Sequence, residues 1–252
     1  MFYPQMDKKL KIMIHVILVF IVLMFICTLL TKRFLYFRPS STFLEISETY
    51  KVIKQGHLYG WLAEGKQYSK IILLCHDNVD NISYHSLLIK QLHSLGFSVL
   101  AFDYSGFGKS TGVPNEQTLY QDASYMVALI RQTYNNEDII IYGHGIGCAI
   151  ATYVAIRYNI PTIILVSPVR SIRCIIKHTI LKYISMIFSE FNLKEYLKAF
   201  KGRSLLIHSR NDLYVPYDSI KDLIELSTKH IETVGTHKNP VIPFNSIKDF
   251  II

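Results

Sequence analysis

The stretch YGHGIGCAIA, residues 142–151, decides how this chain folds. It follows three isoleucines at 139–141 and opens a segment of helical character. A buried strand, a sharp glycine turn and a helix in that order are the setting in which a G-x-S-x-G motif presents a nucleophilic serine. Here the middle position of the motif is Gly145. The sequence therefore predicts a strand–turn–helix elbow that carries no serine.

On both sides of this elbow, short apolar runs alternate with amphipathic stretches. The runs predicted as strands are 49–53, 57–63, 71–76, 97–104, 138–143, 161–167, 203–209 and 230–234, and the predicted helices are 84–95, 116–134, 147–158 and 245–252. The first two strands are predicted to form a hairpin joined at Gln55-Gly56. Continuous apolar strands alternating with helices predict an α/β fold, with helices on both faces of a mostly parallel sheet. Ligands bind such sheets at the carboxyl ends of the strands.

One segment interrupts the alternation of strands and helices. Residues 170–200 contain no strand-like turn signal and are predicted to form one or two amphipathic helices between two strands. An insertion at this place is typical of a short helical cap over the active edge. Ordinary crossover helices are the alternative, and the apolar, basic composition of the segment also suits contact with a membrane.

The N-terminal segment is the clearest physical signal in the chain. Residues 12–31 contain no Asp, Glu, Lys or Arg, and His15 is their one ionisable residue. Twenty such residues are about the length of a helix that crosses a bilayer. A signal peptide is less favoured, because no A-x-A-like cleavage site follows Thr28. We therefore expect a single-pass anchor within residues 1–33 and one domain over 34–252. Basic residues flank the span on both sides, so the side of the membrane stays undecided.

Charge and cysteine content limit the classes of molecule that the protein is expected to bind. The formal net charge is +8, but the basic residues are scattered, which disfavours nucleic acid and suits a surface near anionic lipid. The cysteines at 27, 75, 148 and 174 match no zinc-binding spacing and are expected to be buried thiols. We expect no metal and no cofactor.

Polar motifs follow the predicted strands in a definite order. They are HDNVDNIS (76–83), DYSGFGKSTG (103–112), the elbow (143–147), HSRNDLYVP (208–216) and GTHKN (235–239). Together these motifs resemble the α/β-hydrolase family, and most of all its small membrane-anchored branch, with its HGN-x-x-N-I-S loop, DYRGYGKS-x-G loop and GRSLGG-type elbow. The resemblance runs from about Tyr50 to Pro240. It implies the α/β-hydrolase fold and serine-hydrolase chemistry, which in that branch includes thioesterases acting on lipidated proteins.

The order of the motifs also places a candidate acid and base. In this fold the triad runs serine, acid, histidine along the chain. Asp212 follows a late strand and His237 follows the last one, so we predict that they form a dyad at the catalytic position. The acid would fix the tautomer of the imidazole and stabilise its charged form. Taken singly, Asp212 is also compatible with an ordinary turn and His237 with a surface loop.

Two departures from the family pattern both affect serine-based hydrolysis. Gly145 replaces the nucleophile, and a glycine forms no covalent intermediate. Asp77 replaces a glycine in the loop that, with Ile146, corresponds to the oxyanion-stabilising positions. A carboxylate there would repel a developing oxyanion. In a comparable triad, loss of the serine costs on the order of 10⁶ in turnover.

These departures favour a catalytically inactive pseudo-serine hydrolase that acts as a binding or scaffolding module, with a lipid or acylated protein as a possible ligand. The alternative is an active ester or thioester hydrolase in which Asp212 and His237 activate a water molecule.

Several other residues are candidate functional groups. Cys148 is expected to point into packing, His144 to contact a neighbouring loop, and Ser105 to be a loop serine that replaces the family's arginine. Asp77 as a nucleophile is disfavoured, because its strand is not the one that precedes the elbow. The Gly-Lys-Ser at 108–110 lacks the first glycine of a P-loop. Asn81 begins an N-I-S glycosylation acceptor that matches the family loop, and whether it is glycosylated stays open.

Overall fold

A computed structural model describes residues 7–30, 37–40, 42–44, 50–172, 174 and 191–252. Of residues 27–30 and 38 it describes only the backbone. The chain divides into two units, Met1–Arg38 and Pro39–Ile252. The predicted division into an anchor (1–33) and a domain (34–252) stays a prediction.

The first unit contains one long helix, α1 (Lys8–Leu30). Its segment Lys8–Ile26 has a mean hydropathy of 2.5 and is long and apolar enough to cross a membrane. Large apolar side chains such as Phe20 and Phe25 are exposed along it. Residue 31, the last of the predicted span, lies outside the described residues.

The second unit is built on a mostly parallel sheet. Over the described residues the strands are β1 (Arg38–Pro39), β2 (Lys51–Gln55), β3 (Leu58–Ala63), β4 (Ile71–Cys75), β5 (Val79–Asp80), β6 (Ser98–Asp103), β7 (Ile139–His144), β8 (Thr162–Val166), β9 (Arg203–Ser209) and β10 (Lys229–Thr233). Eight of them form one sheet in the order β10-β9-β8-β7-β4-β6-β3-β2. Among the described strands of this sheet, only the β2–β3 and β3–β6 pairs are antiparallel. The predicted mostly parallel sheet is therefore confirmed.

The hairpin at the start of this sheet differs in register from the prediction. β2 extends to Gln55, which pairs with Leu58, so the turn residues are Gly56 and His57. Gly56 adopts φ +60°, the left-handed conformation that two-residue hairpin turns require and glycine favours. The position of the glycine, rather than the extent of the apolar run, sets the turn.

The helices cover the sheet and fill its core. They are α2 (Ser86–Ser94), α3 (Glu116–Ile130), α4 (Gly147–Tyr158), α5 (Leu193–Ala199), α6 (Lys221–Leu226) and α7 (Phe244–Ile251). Every residue of β4, β6, β7 and β8 is buried, as expected of parallel strands covered on both faces. Helix α3 begins with a capping box between Asn115 and Thr118 and ends four residues earlier than predicted.

The predicted cap falls largely outside the described part of the chain. Residues 173 and 175–190 are not described, so the helical cap at 170–200 stays a prediction. The flanking residues pack on α6, where Arg170 and Lys194 both pair with Asp222, at 3.0 and 2.8 Å. Helix α5 follows the segment and buries Leu193 and Leu197.

Candidate active site

The elbow is formed where β7 passes into α4. Gly145 adopts φ +58° and its N–H donates to the carbonyl of Val166 on the neighbouring strand, at 3.0 Å. Gly147 opens α4 against β4, where a Cβ atom would overlap the carbonyl oxygen of Cys75. The turn therefore needs the left-handed conformation at 145 and a close approach of backbones at 147. The chain retains the geometry of a nucleophile elbow although residue 145 has no side chain.

The carboxylate of Asp77 lies in this elbow. A Cβ atom at Gly145 would overlap both carboxylate oxygens of Asp77. The Ile146 N–H donates to Asp77 Oδ1 at 3.0 Å, so the backbone donor predicted to stabilise an oxyanion is already bound to a side-chain oxygen. The carboxylate reaches the elbow although β4, which precedes Asp77, is not the strand that enters the elbow. β4 pairs directly with β7, and Cys75 is opposite Gly143, so the loop after β4 begins beside the elbow.

Asp212 and His237 come together as the chain order predicts. His237 Nδ1 lies 2.7 Å from Asp212 Oδ2, and the other oxygen of Asp212 accepts the N–H groups of Tyr214 and Val215 at 2.9 and 2.8 Å. Burial alone would raise the pKa of Asp212, but the hydrogen bonds from His237 and Val215 and the charge of His237 outweigh it and lower that pKa. Asp212 is thus an ionised, fixed acceptor that sets the orientation of the imidazole.

The second ring nitrogen of His237 faces Asp77. Nε2 lies 3.8 Å from Asp77 Oδ2, which is too long for a hydrogen bond, and this buried nitrogen has no hydrogen-bond partner among the described residues. Burial would lower the pKa of His237, but the Asp212 hydrogen bond and the charges of Asp77 and Asp212 outweigh it, so the pKa is raised. The imidazole therefore lies between two carboxylates, which favour its protonated form.

Three further histidines surround this arrangement. His144 Nε2 lies 3.0 Å from the carbonyl oxygen of His237, which is the contact with a neighbouring loop predicted for it. The ring of His85 lies 6.0 Å from that of His144 and 5.9 Å from that of His76. Burial lowers the pKa values of all three, to about 4 for His76. His76 and His144 could have been suspected because each follows or ends a buried strand, whereas His85 gave no such signal.

Cys148 and Ser105 have structural partners. The thiol of Cys148 is buried between the carbonyls of Gly143 and Val166, and burial raises its pKa well above the ordinary value, so it is a protonated packing group. Ser105 binds the buried carboxylate of Asp122 through both its N–H and its Oγ, and His57 Nε2 contacts the same pair. In these contacts the Cys148 thiol packs against the elbow backbone and Ser105 holds its own loop, so both side chains have structural roles.

The glycosylation-acceptor motif at Asn81 and the Gly-Lys-Ser motif at 108–110 also make contacts within the fold. Both amide hydrogens of Asn81 are occupied, since Nδ2 donates to the carbonyls of Ser40 and Thr42 at 2.9 Å each, and the residue is fully buried. A glycan on Asn81 is incompatible with this packing. Ser110 Oγ donates to the carbonyl of Asp103 and accepts the N–H of Tyr59, so the Gly-Lys-Ser motif closes a loop on the sheet.

Space for a ligand lies next to the Asp212 loop. A cavity of about 490 Å³ is lined on one side by Leu213, Tyr214 and Val215 and on the other by Val169 and Arg170. The ring of Tyr214 contacts that of His237 at 4.9 Å. Within the part of the chain that is described, no group of three or more His, Cys, Asp or Glu side chains is placed to hold a metal ion.

Comparison with known families gives a match that spans the elbow. The family model for "Serine aminopeptidase, S33", a hydrolase family, matches residues 66–199. These residues run from β4 through the elbow to α5 and amount to more than half of the chain.

Several curated proteins are similar to the chain at low identity. An uncharacterized protein of Acanthamoeba polyphaga mimivirus is 29% identical over 69% of this chain and 69% of its own length. Lysophosphatidylserine lipase ABHD12 of Danio rerio is 29% identical over 74% of this chain, and alpha/beta hydrolase domain-containing protein 17B of Homo sapiens is 28% identical over 64%. The matches span only 54% and 56% of those two vertebrate proteins, about half of their lengths.

Solved structures show the same fold. An esterase of Pyrococcus furiosus superposes with a TM-score of 0.69 at 18% identity, covering 86% of this chain and 96% of the esterase. An α/β hydrolase of Vibrio vulnificus superposes with a TM-score of 0.62 at 21% identity, covering 74% of each chain. At identities this low, the similarity shows that the folds are alike.

Proposed function

The chain belongs to the α/β-hydrolase superfamily, through the family described as Serine aminopeptidase, S33, and from this premise we propose that it is a membrane-anchored pseudo-serine hydrolase. It has lost serine-based hydrolysis of esters and thioesters. It holds a lipid or an acylated protein at the former catalytic site and acts as a binding or scaffolding module.

The position of Asp77 carries this proposal. The Asp77 carboxylate occupies the space of an elbow side chain and takes the Ile146 N–H. Acyl hydrolysis needs a nucleophile at the elbow and free donors for the oxyanion, and a fixed negative charge beside a developing oxyanion raises the barrier. Gly145 thus removes the nucleophile and Asp77 occupies the oxyanion donor. Two coordinated losses at one place are not the result expected of a single neutral substitution.

The membrane part of the proposal is supported by α1 and by the relatives. The helix has the length and hydropathy of a single bilayer span. A relative from Saccharomyces cerevisiae, 26% identical over 81% of this chain, carries the name of a membrane protein. Another relative is named a lysophosphatidylserine lipase, which supports a lipid as the class of ligand.

The alternative is an ester or thioester hydrolase with a non-standard mechanism. The 2.7 Å contact between His237 and Asp212 and the partnerless Nε2 of His237 favour it, because this is the arrangement of a general base. Against it stands Asp77, whose charge favours the protonated imidazole and opposes the oxyanion.

An acyl-hydrolysis assay on the full chain in detergent micelles separates the two functions. We would measure release of nitrophenol from 4-nitrophenyl butyrate and of thiol from an octanoyl thioester. The matched variants are Gly145→Ser, Asp77→Gly and Gly145→Ser/Asp77→Gly. The pseudoenzyme proposal expects a silent native protein and a reactive double variant. Turnover by the native protein that His237→Ala abolishes would establish the alternative instead.

A further inference from the structure

Three tyrosines from three different helices meet at one place. They are Tyr120 of α3, Tyr153 of α4 and Tyr196 of α5. The rings of Tyr120 and Tyr153 stack, with centroids 4.3 Å apart and planes inclined by 24°. The Tyr196 ring meets both edge to face, with its centroid 6.0 Å from that of Tyr120 and 5.8 Å from that of Tyr153. Aromatic surface is thus presented from two directions.

A cavity of about 460 Å³ opens at these rings. Residues of α3 and its N-cap, of α4 and of α5 line it, namely Asn115, Glu116, Gln117, Tyr120, Tyr153 and Tyr196. Small-molecule sites in proteins measure about 300–1,000 Å³, so a compact ligand fits. None of these lining residues belongs to the dyad, to the elbow or to the cavity beside the Asp212 loop. The tyrosine cavity is therefore a separate candidate site.

Glu116 gives the cavity a negative charge. Its Oε1 accepts hydrogen bonds from the Tyr120 hydroxyl at 2.7 Å and from the Phe191 N–H at 2.6 Å, and both donors are neutral. Glu116 lies in the first turn of α3, where the helix dipole favours the ionised carboxylate. Among the described residues that line the cavity there is no Lys, Arg or His to balance this charge. The carboxylate is held in place without a counter-ion, in a chain whose net charge is +8.

The hydroxyl groups of the cluster point their protons toward the same carboxylate. Tyr196 donates to the Tyr120 hydroxyl at 3.1 Å, and Tyr120 donates to Glu116. Burial raises the pKa values of Tyr120 and Tyr196, so both phenols stay protonated. These donors are used within the cluster, which disfavours an anionic ligand and leaves ring surface and negative charge for a cation.

A cation without hydrogen-bond donors matches this combination. A ring face attracts a cation through its quadrupole, and methylated ammonium groups are typical ligands of such aromatic sites. A primary ammonium has three donors to satisfy, whereas Glu116 Oε1 already accepts two hydrogen bonds. We propose that the tyrosine cavity binds a quaternary ammonium group, with its methyl groups against the tyrosine rings and its charge balanced by Glu116. The group belongs to a small quaternary amine such as choline or to the headgroup of a choline lipid.

The rings and the nearest basic side chain limit where the cation lies. Tyr120 and Tyr153 stack too closely to admit a group between them, so the cation lies on the cavity side of the pair. Arg157 donates to the Tyr153 hydroxyl at 3.2 Å, but it does not line the cavity. The Arg157 side chain is exposed, so salt and water screen its repulsion.

This inference goes beyond the proposed function and does not depend on it. The tyrosine cavity shares no lining residue with Gly145, Asp77, Asp212 or His237. Loss or gain of ester hydrolysis in the elbow variants therefore says nothing about ammonium binding, and the reverse is also true.

Isothermal titration calorimetry of the full chain in dodecyl maltoside tests the cavity, because this detergent carries no ammonium group. The probes are choline, its neutral carbon analogue 3,3-dimethylbutan-1-ol, and ethanolamine. Choline should bind more tightly than the carbon analogue by about 2–30-fold, the range that corresponds to one cation–π contact. It should also bind more tightly than ethanolamine, whose primary ammonium needs acceptors.

Two variants remove the ring and the charge separately. Tyr153→Leu keeps an apolar side chain without a π face and should weaken choline binding by about 2–30-fold, whereas Tyr153→Phe should retain it. Glu116→Gln keeps an oxygen to accept the Tyr120 and Phe191 donors but removes the charge. It should weaken choline binding and reduce the dependence of that binding on salt. Melting temperatures of all variants show that the fold is kept.

Controls and a second ligand complete the test. Tyr125→Leu and Glu137→Gln change an exposed tyrosine and an exposed carboxylate outside the cavity and should bind choline as the native protein does. Glycerophosphocholine that binds as tightly as choline would assign the cavity to a lipid headgroup, and binding of choline alone would assign it to a small amine. Absence of choline binding, equal binding of the carbon analogue, or losses that the controls share would overturn the inference.

Discussion

The carboxylate of Asp77 and the backbone of Gly145 occupy one site, because a side chain at 145 would begin inside the space that the carboxylate fills. The two departures from the serine-hydrolase pattern are therefore one structural change. Gly145 leaves the space that the Asp77 carboxylate fills, and the carboxylate in turn excludes a side chain at 145. The two residues meet because β4 and β7 are adjacent strands whose ends lie at the elbow. Reversal of one without the other should be unfavourable.

Gly145→Ser alone should destabilise the protein and produce no ester hydrolysis. The new Cβ meets a carboxylate, and overpacking of this kind costs about 1–3 kcal/mol in the free energy of unfolding. Gly145→Ser/Asp77→Gly should regain stability relative to Gly145→Ser and hydrolyse 4-nitrophenyl butyrate. Chemical denaturation of the four-member cycle measures the coupling between the two sites. Additive free energies would show that the residues do not compete for space.

His237 should titrate above the ordinary histidine range, and each carboxylate should contribute. Asp212 raises the pKa of His237 by accepting its hydrogen bond at 2.7 Å, and Asp77 raises that pKa by its charge at 3.8 Å. Both Asp212→Asn and Asp77→Asn should lower the pKa of His237, measured by NMR of the imidazole C–H resonances. Asp218→Asn, at an exposed carboxylate that pairs with Lys221, is the matched control and should leave it unchanged. An unchanged pKa in Asp77→Asn would contradict the two-carboxylate arrangement.

The sheet was predictable from sequence because buried parallel strands are continuous apolar runs. The runs at 71–76, 138–143 and 161–167 lie within one or two residues of β4, β7 and β8. The meeting of Asp212 and His237 was predictable because motif order along this fold places the acid and histidine at one edge.

The location of Asp77 beside the elbow was expected from the family resemblance, but the order of the strands along the chain does not predict it. It depends on β4 and β7 being neighbours in space, although β6 lies between them in the chain. The order of the strands along the chain differs from their order in the sheet at this point, and the sequence pattern gives only the order along the chain. Likewise, Asn81 matches a glycosylation acceptor in sequence, whereas burial and two hydrogen bonds occupy its amide.

Asp122→Ala should cost far more stability than loss of a surface carboxylate. Asp122 is buried and accepts both the N–H and the Oγ–H of Ser105, with His57 at 3.2 Å. Each buried donor left without an acceptor costs about 1–3 kcal/mol. Asp138→Ala is the matched control, because its pairing with Lys70 at 3.6 Å is partly exposed and such pairs contribute about 0–1 kcal/mol. Equal losses in urea denaturation would contradict a structural role for the Ser105 cluster.

A charge in the middle of α1 should release the protein from membranes. Leu18 is exposed on a helix whose segment Lys8–Ile26 has a mean hydropathy of 2.5. Leu18→Lys should disfavour insertion by about 2.5–3.5 kcal/mol if the helix spans a bilayer, whereas Leu18→Ala should change it little. Alkaline extraction of membranes from expressing cells measures the difference. Extraction of the native protein and both variants alike would argue against a membrane anchor.

The histidine-rich edge of the sheet should make the fold sensitive to acid. Burial lowers the pKa of His76 to about 4, against the opposing effects of Asp77 and Asp80, and lowers the pKa values of His85 and His144. A folded pKa below the unfolded value of 6.5 means that the unfolded state binds more protons between those values. This contribution to stability is therefore complete above pH 6.5 and is lost as the pH falls toward 4.

His237 acts in the opposite direction, because its raised pKa gives a contribution that is complete below 6.5 and is lost as the pH rises through the folded value. Burial also raises the pKa of Asp103, to about 6, and that of Asp122, so these carboxyl groups oppose the histidines. The contribution of His76 is therefore the difference in pH dependence between the native protein and His76→Gln. For His76 alone the loss is roughly 3 kcal/mol between pH 6.5 and 4. Urea denaturation at pH 7.5, 6.5, 5.5 and 4.5 measures the slope, and His76→Gln should flatten it. Equal slopes in the native protein and in His76→Gln would mean that the His76 ring is solvated in the folded protein.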